Sequence, residues 1–327
     1  MQTHRLPKLP RLLEQKIYKT GQTRGADDDE IYQNRVGRNS TILIPFSQFN
    51  KFLEDKIYEM KFENGYIVLL SPDEYYNKNI IKKLKYLKLI LGKNLLLFYE
   101  TREQWENFNP FRKNLTPANS RKEPLGGEFV ARIPATTARE NGTKISHGFN
   151  ETKNKGAGIR AYEYASKEVI AKTKLQLEAI FWHCKDALNI AIEYGMSRDE
   201  ANERKNNIIE YAKNSGLLDY NNLFSARILN KHKMAICPLC LEEISGKGFF
   251  TRLEQADGRE VIDLTVTNLN LFHIEELKYG NFNHMMYNLG WGHHHCNVVI
   301  KDSGIKHTLI WMHNIIEKNI EEGYIKF

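Results

Sequence analysis

Two short runs, Cys237-Pro-Leu-Cys240 and His293-His-His-Cys296, constrain this chain more than any other feature. Two cysteines two residues apart form a knuckle that presents both sulfurs to one tetrahedral ion, and a second pair of like spacing closes the shell. If one zinc joins the runs, the fifty-odd residues between them form a closed loop. Cys237, Cys240 and Cys296 are the sulfur ligands in this reading. His293 takes the fourth place because His293-x-x-Cys296 repeats the knuckle spacing, with His294 and His295 as alternatives. Four protein ligands leave no position for water, so this zinc is expected to be structural. The clustering of three of the four cysteines favours a metal over disulfides. Cys184 lies on an apolar helical stripe far from the others and reads as a buried small hydrophobe.

A chain of 327 residues with 41% hydrophobic and 27% charged residues has room for two or three domains and a sizeable core. It contains no apolar run long enough to span a bilayer. The opening segment Met1–Arg11 has basic residues with no apolar stretch behind them, so a cytoplasmic location is expected. A net charge of +7 and a pI near 9.0 favour a polyanionic partner, because lysine and arginine release condensed counterions from phosphates.

The predicted fold class is α+β, with several domains. Residues 1–39 are polar and turn-rich, and the acidic run Asp27–Glu30 reads as a solvated loop or helix start. Apolar runs at 40–46, 65–70 and 94–99, with a helix at 78–91, predict an N-terminal α/β domain, bounded at 1–108, for DNA binding or oligomerisation. Residues 109–160 have poor periodicity, frequent proline and glycine, and scattered cations. That loop-rich basic segment is a candidate DNA reader through Arg112, Arg121, Arg132, Arg139 and Lys144, since arginine pairs with guanine edges and lysine with phosphates. Helical spacing from 161 to 194, stopped at Gly195, and a second helix from Ser197 to Asn214 before Gly216, predict a helical segment over 161–228. Residues 229–327 hold the knuckles and a C-terminal helix.

Between the knuckles stand Leu271-Phe-His-Ile-Glu-Glu-Leu277 and Tyr287-Asn-Leu-Gly-Trp-Gly-His-His-His-Cys-Asn297. The order of knuckle, strand ending in His-Ile, loop, Asn-Leu, second knuckle and Asn resembles the HNH, or ββα-metal, nucleases over about residues 230–305. The resemblance implies two strands and a helix holding one divalent ion against the scissile phosphate, with zinc stapling the fold. It makes His273 the general base; an unperturbed pKa of about 6.5 leaves much of a histidine neutral near pH 7. It makes Asn288 the residue that ties the loop down and keeps His273 oriented, and Asn297 the protein ligand of a catalytic Mg²⁺. Many HNH proteins have aspartate just before the catalytic histidine, where this chain has Phe272. Either Asn297 holds the ion alone with water and phosphate, the preferred reading, or Glu275, Glu276 or Asp263 supplies a carboxylate. Trp291 is expected to pack beneath the zinc site.

The length, the large portion outside the HNH-like region and the phrase Asn288–Val299 resemble a Type II restriction endonuclease. The segment Tyr18–Glu30 and the layout further resemble BstXI-like enzymes. That resemblance implies double-stranded DNA as substrate, a palindromic target and a symmetric homo-oligomer. Pro72-Asp73 and Glu59-Met-Lys61 stand in the wrong order for a PD-(D/E)xK site and are discounted. A non-catalytic zinc-stabilised DNA-binding protein, or a homing or mobile-element HNH nuclease, are the alternatives.

Overall fold

The computed structural model describes residues 6–18, 41–54, 62–118, 126–135, 143–148, 159–251, 267–277, 282–300 and 303–326. Among them are eleven α-helices, one six-stranded mixed sheet and one two-stranded sheet, an α+β fold. The chain divides into two compact units, residues 39–164 and residues 1–38 with 165–327. Helix α1 (Arg11–Tyr18) belongs to the second of these.

In the unit of residues 39–164, β1 (Ile42–Pro45) leads into α2 (Phe46–Glu54), and β2 (Tyr66–Leu70) is followed by α3 (Pro72–Tyr75) and α4 (Ile80–Tyr86). Then come β3 (Leu95–Tyr99), α5 (Arg102–Asn107), β4 (Phe129–Ile133), β5 (Ile145–His147) and β6 (Ile159–Arg160). The sheet order is β5-β4-β3-β2-β1-β6, parallel except for the β4–β5 pair. Continuous apolar runs such as Leu95-Leu-Leu-Phe-Tyr99 form its central strands, as expected of parallel strands covered on both faces. Ser71 with Glu74, and Thr101 with Gln104, close capping boxes that start α3 and α5. Helix α4 is shorter than the predicted 78–91. Lys88 adopts φ 55°, and the Leu89 amide bonds back to the Leu84 carbonyl, closing the helix in a left-handed turn.

Two expectations change here. The predicted break after residue 108 falls inside one unit, because β4 and β5 extend the sheet begun by β1–β3. The segment 109–160, read as loop-rich, contributes three strands. Arg132 stands exposed within β4, between Ala131 and Ile133, which are buried.

In the other unit, α6 (Lys167–Phe181), α7 (Ala187–Glu193), α8 (Arg198–Asn214) and α9 (Tyr220–Ser225) pack with α1. The predicted helix over 161–194 is broken at Trp182–Asp186, where the Asp186 carboxylate accepts from Ser245 Oγ and the Gly246 amide. Gly195 (φ 110°) ends α7, and the Ser197–Glu200 capping box starts α8. A buried ion pair joins α8 to α6: Arg204 Nε lies 2.6 Å from Glu178 Oε1 and Nη2 2.9 Å from Oε2. Tyr18 of α1 donates to the same carboxylate. These partners satisfy a glutamate that is fully buried. The unit then closes with β7 (Leu269–His273), β8 (Leu289–His293), α10 (His294–Ile300) and α11 (Ile305–Glu321). Among the described residues no helix is long and apolar enough to cross a membrane.

Candidate active site and metal centre

Strands β7 and β8 pair antiparallel, Leu269 with His293 through to His273 with Leu289, and α10 follows β8 without a break and packs on both. This two-strand-and-helix element carries His273, His293, Cys296 and Asn297; Asn288 directly precedes β8, and Cys237 and Cys240 come from the earlier knuckle. One end of the hairpin places His293 beside the first knuckle, and the other end carries His273.

At the first end, the Cys237 carbonyl accepts from the Leu241 amide, and Leu241 takes φ 63°, folding the knuckle into a tight turn. Ligand atoms of Cys237, Cys240, His293 and Cys296 all lie within 4.8 Å of one another. Cys240 Sγ is 3.3 Å from His293 Nδ1. A tetrahedral zinc with bonds of about 2.0–2.3 Å sets its ligands roughly 3.3–3.8 Å apart, so the set fits that ion. Burial pushes the Cys237 thiol up, but hydrogen bonds from the His293 side chain and the backbone amides of Cys240, His293 and Leu239 outweigh it and bring the thiol down to about 6. Cys296 and Cys240 are raised, first by burial and then by neighbouring thiolate charge. Three sulfurs sharing one small volume need a cation to ionise together, which is the chemistry a zinc ion supplies. His293 is the histidine brought to the cluster. His294 Nδ1 instead meets Asn270 Nδ2 at 2.9 Å, and His295 is exposed, stacked on the His293 ring. Cys184 is buried in the apolar core outside the cluster.

At the other end, His273 is half-buried, and its Nε2 lies 3.0 Å from Nδ1 of His284. His284 is 2% exposed. Asn288, also buried, bridges the loop between the strands: its Oδ1 accepts from the Glu275 amide at 2.7 Å and its Nδ2 donates to the Asn283 carbonyl at 2.8 Å. Asn283 Nδ2 in turn donates to the Glu276 carbonyl at 2.8 Å. Asn283 Oδ1 is buried with no hydrogen-bond partner among the described residues. A buried orphan oxygen is a position for a water or a hard cation, which prefers oxygen donors. Asn297 stands half-buried in α10.

Phe272 is fully buried in the core cluster, on the opposite face of β7 from His273. Glu275 is exposed and Glu276 half-buried, while Asp263 lies outside the described residues. Trp291 is buried too, its Nε1 donating to the Leu177 carbonyl at 2.9 Å and its ring edge-on to Phe249. Of the candidate DNA contacts, Arg112, Arg132 and Lys144 are exposed; Arg121 and Arg139 lie outside the described residues.

The sequence reading passed over Asn283 and His284. A histidine in a polar loop gives no local sign of burial, and only its place between a strand-end histidine and a loop-tying asparagine could have marked it.

A sequence model of the BstXI restriction endonuclease family matches residues 15–294. Neither a curated protein nor a solved structure matches the chain.

Proposed function

The chain belongs to the BstXI restriction endonuclease family and so is a DNA hydrolase. From that premise we propose that it cuts double-stranded DNA at a specific sequence by metal-dependent hydrolysis, with an HNH-type site built on β7, β8 and α10. The observation that carries this reading is the pairing of His273 with the buried His284 at the end of β7, in a loop tied by Asn288.

His273 is the general base. A contact of 3.0 Å between two imidazole nitrogens is a hydrogen bond when one of them carries a proton and the other a lone pair. With the proton on His273 Nε2, the lone pair of His273 sits on Nδ1, and that atom takes the proton from water as the water oxygen attacks phosphorus. The bond from phosphorus to the leaving sugar oxygen then breaks. His284 accepts from Nε2 throughout, holding the ring and stabilising the imidazolium that forms. Asn288 fixes the backbone on both sides of the loop that carries His284. A bound Mg²⁺ supplies stabilisation of the phosphate's developing charge, with Asn297 as its protein ligand. The zinc held by Cys237, Cys240, His293 and Cys296 is structural, since all four positions are filled by protein.

Exposed Arg112, Arg132 and Lys144, together with Arg121 and Arg139, are the proposed contacts to DNA. Each chain supplies one His273 and a duplex has two strands, so two copies acting together make the double-strand cut. Incubating sequenced plasmids with the protein and Mg²⁺ tests the reading: discrete fragments sharing one end sequence are expected. The His273→Ala protein should bind zinc and DNA like the wild type and cut nothing. Wild-type protein that never nicks DNA, or a His273→Ala protein that cuts normally, refutes the assignment.

A further inference from the structure

The loop that carries His284 is anchored outside the β7–β8 hairpin. Tyr287, the residue before Asn288, adopts φ 63°, a left-handed backbone that strains a non-glycine residue and lasts only where surrounding contacts fix it. Those contacts come from the helices that precede the first knuckle. The Tyr287 amide donates to Oε1 of Gln176 at 2.8 Å, and Gln176, on α6, is fully buried. Gln176 Nε2 donates to the Leu217 carbonyl at 2.9 Å. The Tyr287 hydroxyl donates to the Gly216 carbonyl at 2.7 Å and accepts from the Asp219 amide at 3.3 Å.

These bonds close a ring. Helix α8 ends with Gly216 at φ 68° and the Leu217 amide bonded back to the Ala212 carbonyl. That turn offers two successive carbonyls, Gly216 to Tyr287 and Leu217 to Gln176. A buried glutamine with both amide atoms paired is ordinary in a core. What sets Gln176 apart is where its second bond leads. Asn288, next to Tyr287, fixes the backbone around both histidines: its side chain bonds Glu275 and Asn283, and its carbonyl accepts from the Ile274 amide at 3.1 Å. Ile274 follows His273, and Asn283 precedes His284. A shift of Tyr287 therefore reaches the 3.0 Å contact between the imidazoles, which weakens steeply with distance and angle.

We propose that Gln176 and Tyr287 are positioning residues for cleavage, setting the loop of residues 282–288 on the helices so that His284 meets His273. The proposal rests on the reading of His273 as the base and adds how its partner is aimed. Single-turnover cleavage at saturating protein, below the melting point, tests it beside DNA affinity measured without Mg²⁺. Gln176→Met, close in shape and without the amide, should slow cleavage at least about fivefold at unchanged affinity. Tyr287→Phe, at a half-buried position, should slow it in the same way and by less. In a His284→Leu background either change should cost little more, because residues acting through one contact are not additive. Wild-type protein that never nicks DNA overturns the reading of His273 and this proposal together. A wild type that cuts, matched by both variants at full rate, overturns the proposal alone. So does a variant that melts lower yet cuts normally while folded, since the ring then serves stability only, and so does additive slowing in the His284→Leu background. Should Gln176→Met not fold, Tyr287→Phe decides alone: full rate overturns the proposal.

Discussion

Replacing His284 by leucine tests whether the proposed base depends on its buried neighbour. The side chain is 2% exposed, so leucine adds no apolar surface to solvent and removes the acceptor 3.0 Å from His273 Nε2. Loss of one partner of a buried hydrogen bond costs about 1–3 kcal/mol. If that interaction holds the base in its working tautomer and rotamer, the full amount appears in the barrier and slows cleavage about 5- to 150-fold. Asparagine at the same position offers Oδ1 near the place of the imidazole Nδ1, so His284→Asn should retain most of the rate. The assay is single-turnover cleavage of a plasmid at saturating protein, with DNA affinity measured without Mg²⁺ by fluorescence anisotropy. The reasoning requires a fall in the rate of the leucine variant at unchanged affinity, and recovery in the asparagine variant. It fails if His284→Leu cuts at the wild-type rate. It fails equally if both variants slow together while their melting points drop, because that pattern describes packing and not orientation of a base.

Removal of zinc should unfold the C-terminal element before the rest of the chain. Cys240→Ser is expected to lower zinc content from one per chain, by elemental analysis, and to abolish cleavage, because the knuckle that fixes His293 at the end of β8 is lost. A second prediction concerns pH. Burial lowers the Lys16 ammonium from 10.5 to about 7, beside Thr267 Oγ1 and the Leu269 carbonyl. Between about pH 7 and 10.5 the unfolded chain holds a proton that the folded chain has released, so this residue makes stability rise with pH across that window, by up to about 1.4 kcal/mol per pH unit. Lys16→Met should remove the rise in chemical-denaturation midpoints, and an unchanged pH dependence would show that Lys16 stays charged when folded.

Local pattern revealed much of this architecture, and the misses have physical causes. Ser197, Glu200 and Gly216 bound α8 through capping chemistry that needs no tertiary partner, so its limits could be read from residues alone. The runs at 42–45, 66–70 and 95–99 announced themselves as continuous apolar strands of a covered parallel sheet. Strands β4 and β5 did not, because Arg132 and His147 dilute their pattern and their formation depends on an existing edge at β3. Nor could the docking of α1 be anticipated. It rests on Tyr18 meeting Glu178 and on Arg204 donating to the Pro7 carbonyl, contacts across about 160 to 200 residues. Within the site, the gathering of Cys237, Cys240, His293 and Cys296 was legible because each pair has knuckle spacing, a local property. The burial of His284 was not, since it arises from the way the loop folds back on β7.

Phe272 shows how one substitution of residue type reshapes what a metal can use. It alternates with His273 along β7, so its ring points to the face opposite the base. On that face the cross-strand neighbours in β8 are Gly290 and Gly292, and a side-chain carbon added at Gly292 would run into the Phe272 ring. The sequence Gly290-Trp291-Gly292 is therefore the complement of a buried aromatic, with its own tryptophan turned to the other face against Leu177 and Phe249. A carboxylate at position 272 would forfeit about 3–5 kcal/mol of aromatic packing and bury a charge among apolar neighbours. The two arrangements exclude each other, so an ion at the proposed site has no ligand from position 272. Asn297, the proposed ligand, is a neutral donor. A neutral oxygen binds a hard dication weakly, so under the proposed assignment to Asn297 alone the charge retaining the ion would be that of the DNA phosphate, and metal occupancy would depend on the presence of substrate.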